Sequence, residues 1–112
     1  MNKWMKYGAR HGSEIAYVFN KLNARWGASE ATREEQNLAH IMNTYWANFA
    51  KTGEPNGKGL SPWPLYNTKN EEILFIDSDG LPIGMPDPIK VKLDLIEKAM
   101  KFRSQVQSRG GF

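Results

Sequence analysis

The chain has no cysteine. Disulfides, thiolate metal sites and cysteine nucleophiles are therefore excluded, while the redox compartment stays open. No apolar run approaches the ~18 residues of a membrane span. The opening "MNKWMKYGARHG" has no apolar core of the kind an export signal needs, so the residues assign no compartment. A concentrated basic stripe is also missing. The net charge is +3 and the pI about 9.2, but the lysines and arginines are scattered, which argues against a nucleic-acid partner. Repeats and low-complexity tracts are absent too. Histidine is scarce: His11 and His40 are the two.

What remains is an ordinary globular balance, 40% hydrophobic and 24% charged over 112 residues. This fits one small unit, 1–112. Its start reads like a chain entered partway through.

A first helix of about two turns is expected at 13–20. Ser13 can act as N-cap, and Ile15, Val18 and Phe19 share a face. "KLNARWG" then forms a connection closed by Trp26 and Gly27. The clearest element is a helix at 33–52. Thr32 and Glu35 form a capping-box pattern, and Leu38, Ile41, Met42, Tyr45, Trp46 and Phe49 build one broad apolar face. Gly53 supplies the stop and Pro55 prevents resumption. Residues 53–70 read as an irregular loop with Trp63, Leu65 and Tyr66 as anchors. A small hairpin is expected at 72–77 and 81–85, with Pro82 confining its second strand to an edge. The last helix is placed at 87–105, with Asp87 as N-cap and Pro88 at its first position. The tail should fray.

The fold class is therefore mostly helical α+β, with three helices and one hairpin. The apolar arcs of the two long helices do not obviously cover one another. Such a chain either closes into a small helical domain or packs on something larger. A homodimer is one way to bury those faces.

"GARHGSEIAYVF" at 8–19 places His11 among small residues. By its residues alone it can be a catalytic base, a metal ligand or neither. His40 lies beside the apolar stripe of the long helix, where a structural role is the expectation. The pair lacks any carboxylate or cysteine at ligand spacing, so no metal site and no cofactor are expected.

The runs "HGSEIAYVF", "YWANFAKTGEPN" and "WPLY" closely resemble the C-terminal part of type-B carboxylesterases, the family that includes cholinesterases and bacterial para-nitrobenzyl esterases. The resemblance extends from about Gly8 to about Ala99. It implies an α/β-hydrolase parent with a serine–acid–histidine triad in that chain order. Within it, 1–12 is the catalytic-histidine loop and His11 the general base, acting on a small-molecule ester. Glu14 is then either a carboxylate near that histidine or simply an early-helix acid favoured by the helix dipole. The core sheet of the family has no counterpart here.

The other machinery is not found in the sequence. A nucleophile elbow needs G-x-S-x-G. Ser13, Ser29, Ser61, Ser104 and Ser108 lack flanking glycines, and Ser78 has Gly80 but Ile76 on the other side. No Gly-rich oxyanion loop is present. The isolated chain is expected to be inactive, its nucleophile and acid coming from an N-terminal portion of the esterase. The rival reading is a non-enzymatic helical module that self-associates or binds a partner protein.

Overall fold

The computed structural model describes residues 8–22, 31–77 and 80–110. The connection expected around Trp26 and Gly27 lies outside them, as do residues 1–7 of the opening segment and Ser78. The described residues form three helices and an antiparallel two-stranded hairpin. These are α1 (Ile15–Val18), α2 (Arg33–Thr52), β1 (Glu72–Phe75), β2 (Ile83–Pro86) and α3 (Lys90–Arg109).

The long helix α2 starts and stops where its capping chemistry says. The Glu35 N–H donates to Thr32 Oγ1 (3.1 Å), and the Thr32 N–H donates to Glu35 Oε2 (2.9 Å). Two amides that the first turn would leave orphaned are thereby satisfied. At the other end Gly53 adopts the left-handed conformation, φ 77°, and its N–H donates to the Phe49 carbonyl. Only glycine takes that conformation at little steric cost.

The core lies between α1 and α2. Ala16, Tyr17 and Leu22 pack with Leu38, Ala39 and Met42, and Val18, Ala31 and Ile76 flank them. This corrects the expected face of the first helix. Ile15 and Phe19 point to solvent, 53% and 67% exposed, while Ala16 and Tyr17 are buried. Ser13 is not its cap either; Glu14 holds that position, without a side-chain capping bond. A helix of four residues is too short for periodicity to fix its face, so docking on α2 decides it. Asn43 Nδ2 reinforces that docking by donating to the Val18 carbonyl (2.7 Å).

The hairpin pairs Glu72 with Pro86 through Phe75 with Ile83. Both strands are shorter than expected, and Pro82 lies just before β2 instead of within it. Gly84 sits against the preceding loop: a Cβ there would meet Pro64 Cδ at 3.2 Å and the Pro62 carbonyl oxygen at 3.3 Å.

The last helix begins later and ends later than 87–105. The Asp87 side chain accepts from the Ile89 N–H (2.9 Å), and the Asp87 carbonyl accepts from the Lys90 N–H (3.2 Å). Asp87 and Pro88 thus form a turn before the helix, not its cap and first residue. The helix continues to Arg109, through most of the tail expected to fray. It buries none of its residues. The molecule is correspondingly elongated, 60 × 32 × 22 Å with a radius of gyration of 18.4 Å. A compact chain of this length would have about 13 Å.

Candidate functional site

Local backbone chemistry presents His11 to solvent. Gly8 (φ 89°) and Gly12 (φ 71°) bracket it in the left-handed region. The Ser13 N–H donates to the Arg10 carbonyl (3.0 Å), closing a turn over His11 and Gly12. A Cβ at Gly12 would touch Ile15 Cδ1 at 3.4 Å, so the turn is also held close to α1. His11 is exposed at the crest of this turn.

Glu14 follows at the start of α1, also exposed. With Ala9, Ser13 and Tyr17 it lines one side of a hollow of about 250 Å³. Leu38, Met42, Trp46, Ile76 and Asp77 complete its lining. The hollow is mostly apolar and open, and its lining includes carboxylates from two separate segments, Glu14 and Asp77. Beneath it the Tyr17 hydroxyl is pushed up to about 12, chiefly by burial and further by the negative charge of Glu35.

His40 is exposed on α2 and does not enter the core. Its carbonyl accepts the Thr44 hydroxyl (2.8 Å), an ordinary bond within the helix. Among the described residues no group of three His, Asp or Glu side chains could hold a metal ion. None of the described helices is long and apolar enough to cross a membrane.

The run from Tyr45 to Asn56 builds scaffold. Tyr45 is fully buried and its Oη donates to the Ser61 carbonyl (2.6 Å). Burial raises its pKa above the ordinary phenol value. The Trp63 ring meets Tyr45 edge to face at 5.4 Å and lies tilted against Trp46 at 5.6 Å. Asn56 clamps the loop: its Oδ1 accepts the Trp63 N–H (2.6 Å) and its Nδ2 donates to the Trp63 carbonyl (3.2 Å). Glu54 Oε1 in turn accepts from the Asn56 N–H and Nδ2. Asn48 Nδ2 donates to the Pro55 carbonyl (3.2 Å), tying the loop back to α2.

Sequence reasoning did not find this clamp. Of the three expected loop anchors only Trp63 is one; Leu65 and Tyr66 are 87% and 60% exposed. Part of the aromatic face of α2 is open as well. Trp46 and Phe49 join Trp63, Pro64 and Tyr66 along a groove of about 530 Å³.

Comparison with known proteins follows the same residues. A family model described as the carboxylesterase family matches residues 1–102. Carboxylesterase 1E of Mus musculus is 51% identical over 59 residues, covering 53% of this chain and 10% of that protein. Carboxylesterase 5A of Mus musculus is 44% identical over 72 residues, covering 62% of this chain and 12% of that protein. A protein of Anas platyrhynchos named "Fatty acyl-CoA hydrolase precursor, medium chain" is 46% identical over 69 residues, covering 62% of this chain and 12% of its own length. The chain therefore spans about a tenth of the curated relatives it matches.

Proposed function

The chain belongs to the carboxylesterase family, and from that premise we propose that it is the C-terminal part of a serine carboxylic-ester hydrolase, with His11 as general base. The observation that carries the reading is the order of three motifs within the matched residues. His11-Gly12-x-Glu14 comes first, then Tyr45–Asn56, then Trp63-Pro64-x-Tyr66. The exposure of His11 on a glycine-bracketed turn supports it, because a hydroxyl must reach the imidazole.

The chemistry assigned to His11 is a proton relay. One ring nitrogen accepts the proton of a serine hydroxyl as its oxygen bonds to the ester carbonyl carbon. A carboxylate on the other nitrogen stabilises the imidazolium. The proton then passes to the alkoxide as the C–O bond breaks, and the alcohol leaves. Water repeats the cycle and releases the acid. The serine is assigned to polypeptide outside these 112 residues, since no serine here has the G-x-S-x-G setting. The carboxylate is assigned there with it, because the family's chain order places the acid well before the histidine. Glu14 is assigned an outer position, helping to orient the imidazole, with no proton transfer of its own.

Without a nucleophile and oxyanion donors, a general base supplies a small share of the catalysis. The isolated chain is inactive on this account. The test is turnover of a para-nitrophenyl ester by the isolated chain and by a transplant, in which these residues replace the matching segment of Carboxylesterase 1E. Turnover by the transplant alone is expected. Turnover by the isolated chain that disappears in His11→Ala would contradict the reading.

A further inference from the structure

Asn56 is the one asparagine of the chain that is followed by glycine. That pair is chemically labile. The backbone nitrogen of the next residue can attack the asparagine carboxamide carbon, and glycine, with no Cβ, hinders the attack least. Asn56 and Gly57 are both exposed, so water reaches them. Among the described residues no acceptor takes the Gly57 N–H, while the Gly57 carbonyl accepts from the Leu60 N–H (3.2 Å).

The glycine is not freely exchangeable. A Cβ at Gly57 would meet Asn48 Nδ2 at 2.9 Å. That nitrogen is itself committed, donating to the Pro55 carbonyl (3.2 Å). Packing therefore keeps beside Asn56 the neighbour that makes it most labile.

What restrains the reaction is the clamp on Trp63. The Trp63 N–H holds Oδ1 of the carboxamide (2.6 Å) and the Trp63 carbonyl holds Nδ2 (3.2 Å). Glu54 Oε1 holds Nδ2 as well (2.7 Å). Ring closure makes the carboxamide carbon tetrahedral and moves both of its ends out of their plane. A carboxamide fixed at both ends resists that change. The Glu54 carboxylate also opposes the negative charge that gathers as the Gly57 nitrogen loses its proton.

We propose that Asn56–Gly57 is a self-modification site, at which the asparagine deamidates through a succinimide when the clamp opens, and that the product hinders the clamp from closing again. The Gly57 nitrogen bonds to Asn56 Cγ while its proton passes through solvent to Nδ2. The Cγ–Nδ2 bond breaks and ammonia leaves. Water then opens the ring at either carbonyl. One opening gives aspartate; the other gives isoaspartate, whose backbone is longer by one methylene.

In aspartate an anion faces the Trp63 carbonyl and the Glu54 carboxylate, where the amide had donated. In isoaspartate the carboxylate is drawn back onto Cα. The Trp63 ring rests against Tyr45 and Trp46, and Trp46 also lines the hollow beside Ser13 and Glu14. Deamidation thus loosens the aromatic anchor of α2. The inference is independent of the role given to His11.

The test incubates the full chain at neutral pH, folded and unfolded in urea, and follows the peptide carrying Asn56 by mass spectrometry. The unfolded chain should deamidate at Asn56 before any other asparagine, and Gly57→Ala should slow it there. The folded chain should react more slowly by roughly 5-fold or more, the factor that the clamp bonds supply. Folded Glu54→Ala should fall between the two. Deamidated chain, separated by its added negative charge, should exchange its Trp63 amide faster than the unmodified chain, with amides in the middle of α2 unchanged. Equal rates in the folded and unfolded chain would overturn the proposal. So would a Glu54→Ala rate equal to that of the folded parent, another asparagine reacting first in the unfolded chain, or a Trp63 amide that the modification leaves unaltered.

Discussion

Replacing Asn56 with alanine tests whether the Tyr45–Asn56 run is structural. The substitution removes the acceptor of the Trp63 N–H (2.6 Å) and the donor to the Trp63 carbonyl (3.2 Å). Each such bond contributes about 1 kcal/mol net when water can compete. Asn56 is exposed and Trp63 half-buried, so the pair together should be worth about 1–2 kcal/mol. That corresponds to a roughly 5- to 30-fold change in a local opening equilibrium. Native-state hydrogen exchange reads it directly: the Trp63 amide should exchange faster in Asn56→Ala by that factor, while amides in the middle of α2 keep their rates. Asn56→Asp keeps an oxygen for the Trp63 N–H but loses the amide donor and sets a charge beside Glu54, so it should fall between the two. An unchanged Trp63 amide in Asn56→Ala would refute the clamp. Loss of protection throughout α2 would refute its being local.

Three further outcomes are expected. Thr32→Ala removes one half of the capping box and should destabilise α2 by about 1 kcal/mol, read as a lower denaturation midpoint by circular dichroism. Tyr17 titrates at about 12 in the folded chain against 10.0 ordinarily. Folding therefore favours its protonated form: the contribution is whole below pH 10 and is lost as pH rises to 12. Tyr17→Phe should therefore flatten the alkaline limb of a stability–pH curve between pH 10 and 12, and an unchanged limb would deny the burial effect. Glu14→Gln in the transplant should lower kcat/KM less than about tenfold while moving the acid limb of its pH profile, as expected of an orienting group; an unmoved profile would leave Glu14 as a helix-start acid.

Elements whose ends are written in local chemistry were legible in the sequence. Helix α2 was bounded to the residue because Thr32, Glu35 and Gly53 act within one turn of where they sit. Where partners are distant, legibility failed. Ile15 and Phe19 match a helical face on paper, yet the contact with Leu38 and Met42 turned Tyr17 inward. Asp87 and Pro88 carry a helix-start signature, but the Asp87 carboxylate is spent on the Ile89 amide and the helix begins at Lys90. The clamp between Asn56 and Trp63 spans seven residues of irregular loop, where no periodicity announces a partner. For the candidate site, the motif singled out His11 among small residues, while the turn closed by the Ser13 N–H and the Arg10 carbonyl was not predicted. The hollow bordered by Glu14 and Asp77 could not be foreseen, because it exists only once α1 lies on α2 and Ile76 packs beside them.

The most direct measurement is kcat/KM for a para-nitrophenyl ester in the Carboxylesterase 1E transplant, with histidine or alanine at position 11. Loss of a triad base leaves the oxyanion hole and binding intact, so a fall of about 10³-fold or more is predicted, with an unchanged unfolding midpoint. A His11→Ala transplant that is folded and hydrolyses the ester within about tenfold of its parent would contradict the account.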